Sequence, residues 1–245
     1  MSNRHFIGMK KHPVIPAPDY TALSHELRTP LAVISGYAQI MRDELGPEVE
    51  QLTGPVVDQV QRLARIVDSV LETNELAAGR MHPTATSFHV MDTLSAVLDR
   101  HMEAARLKGL GMRVHMRLDS DNAWTDAERV AHALDNVLDN AIKFSESGTI
   151  DVHLESDDLN CSMTVIDDGQ GFPESAGRLG TAFVQGSTGA ARTHQGLGTG
   201  LFIARASMEL IGGSLHFSNH PTGGAEVALE WPLTMAVESH LSLAA

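Results

Sequence analysis

Between residues 23 and 70 the apolar side chains keep a helical rhythm that is interrupted at Gly46-Pro47. Leu23, Leu27, Leu31, Ile34, Ala38, Met41 and Leu45 recur at spacings of three and four, which places them on one face of an α-helix. Asp19 or Thr21 caps its start. A second helix is expected from about 48 to 77, with Leu52, Val56, Val60, Leu63, Val67 and Val70 on one face. Two antiparallel helices joined by a tight turn make a helical hairpin. Such a hairpin cannot bury a two-sided apolar face alone. Two copies packed as a four-helix bundle would bury it, and so would docking on the remainder of the same chain.

The remainder alternates between periods. A linker rich in Gly, Pro, Ser and Thr covers 78–87. Helices are expected at about 90–107, 126–144 and 198–211. Strands are expected at 112–118, 149–155, 160–167, 214–219 and 224–231. Helices and antiparallel hairpins mixed in this way predict an α/β sandwich, one sheet under a helical layer. Gly212-Gly213 and Gly223-Gly224 read as turns near the last hairpin.

Bulk properties exclude some functions. The net charge of −13 disfavours nucleic acid, whose phosphates need Lys and Arg, but leaves room for a local nucleotide pocket. The lone Cys161 excludes an intrachain disulfide and reads as a buried, inert strand residue. No run approaches the ~18 apolar residues of a membrane-spanning helix. The first 20 residues lack the apolar core of a secretory signal. A cytoplasmic location is expected, either as a free protein or as the cytoplasmic part of a membrane-anchored parent.

Ser24-His25-Glu26-Leu27-Arg28-Thr29-Pro30-Leu31 sits on the first helix. At about 100° per residue, His25 falls roughly 165° from the centre of the apolar stripe and faces outward, with Thr29 on nearly the same face. An exposed histidine with an ordinary pKa near ~6.5 is mostly neutral at pH 7, so one ring nitrogen has a lone pair able to attack phosphorus. Glu26 can accept from the other ring nitrogen and offset the positive charge of attack. Pro30 removes a backbone donor and favours a bend beside them. Taken by itself, His25 also fits a plain surface histidine, one of 13 in the chain.

Three later stretches suit a nucleotide. On the 126–144 helix, Val130, Leu134, Val137 and Ala141 form the core stripe, while Asn136, Asn140 and Lys143 share another face. An amide oxygen is a hard ligand for Mg²⁺, and Lys offsets phosphate charge. Phe144 can pack on a base or ribose. Asp167-Asp168-Gly169-Gln170-Gly171 follows an apolar strand. A carboxylate there can accept the exocyclic amine of adenine, a donor that guanine lacks at that position. Gly196-Leu197-Gly198-Thr199-Gly200-Leu201 opens the next helix, where free backbone N–H groups favour phosphate. Residues 169–200 hold nine glycines, as a lid would, with Phe183 as an apolar anchor and Arg192 as a candidate to reach the phosphates.

In this order the four stretches resemble the H, N, G1 and G2 boxes of sensor histidine kinases of bacterial two-component systems, over about residues 20–232. Phe183 falls where the F-box would be. The resemblance implies an α+β fold: a helical hairpin forming a dimeric four-helix bundle, then an ATP-binding domain of the Bergerat type. It implies a leader at 1–19, a dimerisation and histidine-phosphotransfer domain at 20–78, a linker at 79–85, a catalytic domain at 86–233 and a tail at 234–245. By it, His25 is the phospho-acceptor, Glu26 its acid–base partner, and Thr29 positions a water in the reverse, phosphatase reaction. Asn140 holds Mg²⁺, with Asn136 and Lys143 near the phosphates. Asp167 reads adenine, and Gly169, Gly171, Gly196, Gly198 and Gly200 shape the lid and phosphate site. The chain departs from the family at Asp168, where Asn is frequent, at Phe144, where Tyr is frequent, and around Phe183, where no basic residues follow closely.

The expected activity is ATP-dependent phosphorylation of His25, then transfer to an aspartate of a response-regulator receiver domain. Related ATPases of the gyrase, chaperone and mismatch-repair kind place a water-activating glutamate one helical turn before the magnesium asparagine. This chain has Asn136 there. An ATPase, or a phosphatase-only or scaffold protein, is the alternative.

Overall fold

A computed structural model describes residues 32–34, 36–37, 39–40, 47–173 and 198–235. His25, Glu26, Thr29, Phe183, Arg192, Gly196 and Leu197 lie outside the described residues, as does the 1–19 leader. The chain divides into two compact units, 1–74 and 75–245.

In the first unit, residues 32–34, 36–37 and 39–40 are helical (α1). A 31-residue helix, α2 (Pro47–Ala77), follows and carries Pro55 inside it. Of the apolar side chains expected to need a partner, Ile34, Val56 and Leu63 are each about half exposed in the single chain. Val57 and Leu71 on α2 are buried.

The second unit is built around a five-stranded sheet. Its strands are β2 (Gly111–Leu118), β4 (Thr149–Ser156), β5 (Asn160–Asp167), β6 (Ser214–Asn219) and β7 (Ala225–Pro232), in the order β2-β4-β5-β7-β6. Only the β2–β4 pair is parallel; the other neighbours are antiparallel. Strict alternation of burial along β4, β5 and β7 gives the sheet one packed face. Ile150, Val152, Leu154, Met163, Val165, Leu229 and Trp231 lie on it. Three helices cover that face: α3 (Val90–Lys108), α4 (Ala127–Phe144) and α5 (Gly200–Leu210). The predicted core stripe of α4, Val130, Leu134, Val137 and Ala141, is buried against it. Cys161 is fully buried in β5, and burial pushes its thiol up to about 12, so it is unreactive.

A second, two-stranded sheet pairs β1 (Thr86–His89) with β3 (Asn122–Thr125). Sequence reading missed it, because four-residue strands are too short to show a period of two. Its connecting residue Asp121 caps α3 from a distance. The Val90 N–H donates to its carbonyl and the Met91 N–H to its carboxylate, while the local N-cap, His89, offers no side-chain bond. Beyond Leu233, where the domain was expected to end, Thr234 bridges to Trp124 and the Met235 N–H donates to the Trp124 carbonyl. The fold therefore extends two residues into the expected tail.

Candidate functional site

α4 carries the polar stripe, and α3 fixes where α4 sits. Arg100 pairs with Asp135. His101, almost fully buried, places Nδ1 2.8 Å from the Val97 carbonyl and Nε2 3.2 Å from Asp139 Oδ1. Both partners accept, so this pair of contacts favours the imidazolium, in which both ring nitrogens donate. Burial works against that charge, but the Asp139 bond, the Val97 carbonyl and the charges of Asp139 and Asp135 outweigh it, and the His101 pKa is raised. At the far end, Lys108 Nζ donates to the carbonyls of Ile142 and Lys143 and so satisfies the last turn of α4. The N-terminus is capped by Asp126, whose Oδ1 accepts from the Arg129 N–H at 3.0 Å.

Held this way, α4 turns Asn136 and Asn140 toward the first residue of α5. A Cβ on Gly200 would lie 3.2 Å from Asn140 Nδ2 and 3.3 Å from Asn136 Oδ1. Residues sixty or more positions apart thus meet at a helix N-terminus, where a side chain larger than Gly would crowd the two amides. Thr199, the buried N-cap, makes no capping bond from its side chain to the first turn of α5. Gly198, with φ +72°, brings the chain into that turn. Leu201 is half-buried and packs on the core. The Lys143 ammonium lies 4.9 Å from the centre of the Phe144 ring.

The last residue of β5, Asp167, is buried. Its Oδ1 accepts the Gly169 N–H at 2.8 Å and the Ala225 N–H at 3.2 Å. Burial pushes its carboxyl upward, the two backbone N–H groups oppose this, and the neighbouring Asp168 charge adds to the rise. Gly169 leaves no room for a side chain: a Cβ would sit 2.7 Å from Asp167 Oδ1 and 2.8 Å from the Phe144 carbonyl. The G1 turn therefore runs against the C-terminal end of α4. Asp168 points elsewhere. Its Oδ2 accepts the Thr149 N–H at 2.8 Å and fills the space beside Gly148, so its charge serves the start of β4.

The structure thus brings Asn136, Asn140, Thr199 and Gly200 into one place, and joins Asp167 and Gly169 to the end of the same helix. Among the described residues, no group of three or more His, Cys, Asp or Glu side chains is arranged to hold a metal. Any cation here depends on amide oxygens and on the ligand's own phosphates.

Two family models match along the chain. The His Kinase A (phospho-acceptor) domain covers residues 21–79, and the histidine kinase-, DNA gyrase B- and HSP90-like ATPase covers residues 125–235. The chain is a histidine kinase catalytic core. Signal transduction histidine-protein kinase BarA of Escherichia coli (strain K12) is 31% identical to it over 211 residues, 83% of this chain and 23% of that protein. Sensor histidine kinase RcsC of the same organism is 28% identical over 214 residues, 86% of this chain and 23% of that one. This histidine kinase core therefore spans about a quarter of the length of the curated relatives it matches. Full-length ShkA, solved in complex with AMPPNP, superposes with a TM-score of 0.74 at 26% identity, covering 89% of this chain and 46% of that one. The Acinetobacter baumannii histidine kinase AdeS shares the fold, with a TM-score of 0.62 at 21% identity over 85% of this chain and 98% of that one.

Proposed function

We propose that this protein binds Mg·ATP in its second unit and phosphorylates its own His25. The observation that carries this reading is the meeting of Asn136 and Asn140 with the start of α5 at Gly200. That arrangement suits a polyphosphate. Backbone N–H groups face its oxygens, and the Asn140 amide oxygen is a hard ligand for a Mg²⁺ that keeps phosphate and water for its other positions. Mg²⁺ would supply charge neutralisation, and no carboxylate cluster competes for it among the described residues. Asp167 accepts from the adenine amine, and Lys143 contributes positive charge near the phosphates. That the similar ShkA was solved in complex with AMPPNP supports nucleotide binding by this chain.

In the reaction the lone pair of one His25 ring nitrogen attacks the γ-phosphorus in line. An N–P bond forms, the bond from the γ-phosphorus to the β–γ bridging oxygen breaks, and ADP leaves with that electron pair. Glu26 holds the proton on the other ring nitrogen and offsets the charge that develops there. The phosphoryl group then passes to an aspartate of a receiver domain, and Thr29 assists its hydrolytic removal. The exposed apolar residues of α1 and α2 support a homodimer through residues 20–78. Among the described residues no helix is long and apolar enough to cross a membrane. We place the domain in the cytoplasm, where ATP is available.

A phosphate balance tests kinase against ATPase. With γ-labelled ATP and Mg²⁺, label should stay on the protein and little free phosphate should accumulate. Steady phosphate release that survives His25→Ala would instead establish an ATPase.

A further inference from the structure

Asn219, the last residue of β6, grips the backbone of Phe172. The Phe172 N–H donates to Asn219 Oδ1 at 2.6 Å, and Asn219 Nδ2 donates to the Phe172 carbonyl at 2.9 Å. An N–H only donates and a carbonyl only accepts, so these partners fix which way round the amide sits. The side chain acts as a one-residue strand neighbour for the point where the G1 turn leaves the site. Gly171, at φ +71°, fits beneath it: a Cβ there would lie 2.7 Å from Asn219 Oδ1 and 3.2 Å from the Gly224 carbonyl. The Phe172 ring also meets Phe217 of β6, centroids 4.9 Å apart.

The β6–β7 hairpin grips the start of the same turn. The Ala225 N–H donates to Asp167 Oδ1. Gly224 lies so close to the Asp167 carbonyl that a Cβ would come within 1.7 Å of its oxygen. One hairpin therefore clamps both ends of residues 167–172, and Asn219 is the side chain that holds the exit.

We propose that Asn219 is a positioning residue for base recognition, fixing the 167–172 turn so that the Asp167 carboxylate meets an adenine amine and repels a guanine oxygen. This deepens the proposed function and rests on its reading of Asp167. Selectivity is a difference between two affinities and depends on how tightly the carboxylate is held in place. Asn219 itself touches no nucleotide in this account.

The test measures the affinities of the whole chain for ATP and GTP analogues, together with melting temperature, for wild type, Asn219→Ala and Thr222→Ala. Thr222 bonds His220 Nδ1 at 2.8 Å, within the same hairpin turn that carries Asn219. For Asn219→Ala, ATP affinity should fall about tenfold, the scale of losing one to two net hydrogen bonds, while GTP affinity hardly changes. Thr222→Ala should keep the wild-type ratio. If Asn219→Ala melts below the assay temperature, Asn219→Asp carries the test. It keeps the acceptor, loses the donor, and should lower the ATP-to-GTP ratio in the same direction. An unchanged ratio in a folded Asn219 variant, or an equal fall in Thr222→Ala, overturns the inference alone. Wild-type protein that binds neither nucleotide overturns the proposed function and this inference with it.

Discussion

Replacing Asp167 with Asn should move stability and nucleotide affinity independently. In the folded chain Oδ1 is held by the N–H groups of Gly169 and Ala225. In Asp167→Asn those two donors keep the amide oxygen where Oδ1 was, which forces the NH₂ into the place of Oδ2. Burial raises the Asp167 carboxyl, so the native charge is carried at a cost. Its removal relieves that cost while the two bonds weaken from charged to neutral, and the net change should lie within about 1 kcal/mol of wild type. The adenine amine, in contrast, loses a charged acceptor and meets a donor. Losing a hydrogen bond to a charged group is worth about 1.5–3 kcal/mol, or about 10- to 150-fold in affinity. The guanine oxygen would find a donor where it had met repulsion, so GTP should bind no worse than before. Calorimetric titration with non-hydrolysable ATP and GTP analogues, beside urea unfolding, reads all three quantities. An Asp167→Asn protein that is clearly less stable yet binds ATP as wild type does would show that Asp167 is structural, and the reading of the site would be wrong.

Other consequences follow from the same geometry. Gly200→Ala adds a Cβ against the amides of Asn136 and Asn140. It should lower nucleotide affinity about tenfold while leaving stability equal or higher, since Ala favours a helix by about 1 kcal/mol over Gly; unchanged affinity would place the phosphates elsewhere. Gly224→Ala combines φ +83° with a Cβ on the Asp167 carbonyl and should cost about 2–4 kcal/mol in urea unfolding; a loss below half of that would mean that the turn yields easily. The folded pKa of His101 is raised. Its stabilisation is therefore fully present below the unfolded value of about 6.5 and is lost as pH rises through the folded value. The urea midpoint should fall as pH rises above about 6.5 in wild type and fall less in His101→Gln; parallel profiles would remove His101 as the source.

What the sequence disclosed followed the range of each interaction. The α4 stripe was readable because Asn136, Asn140 and Lys143 repeat at helical spacing on a helix whose core stripe is equally periodic. Asp167 was readable because a carboxylate ending an apolar strand before glycines is a local pattern. The burial of Cys161 also followed from its strand context. The missed features depend on partners far along the chain. Asp121 caps α3 from 30 residues away, Asn219 holds Phe172 across 47, and Asp168 turns to Thr149 across 19. His101 looked like one histidine among 13, and only packing against α4 shows the contacts that favour its charged form. No local periodicity carries such information.

The central claim is phosphorylation of His25 by ATP held at Asn140. Wild type, His25→Ala and Asn140→Ala would each be incubated with γ-labelled ATP and Mg²⁺, and the protein-bound label tested in acid and alkali. Wild type should carry an acid-labile, alkali-stable label that both variants lose. A wild-type protein that binds ATP yet takes no label, or a label that persists in His25→Ala, would contradict it.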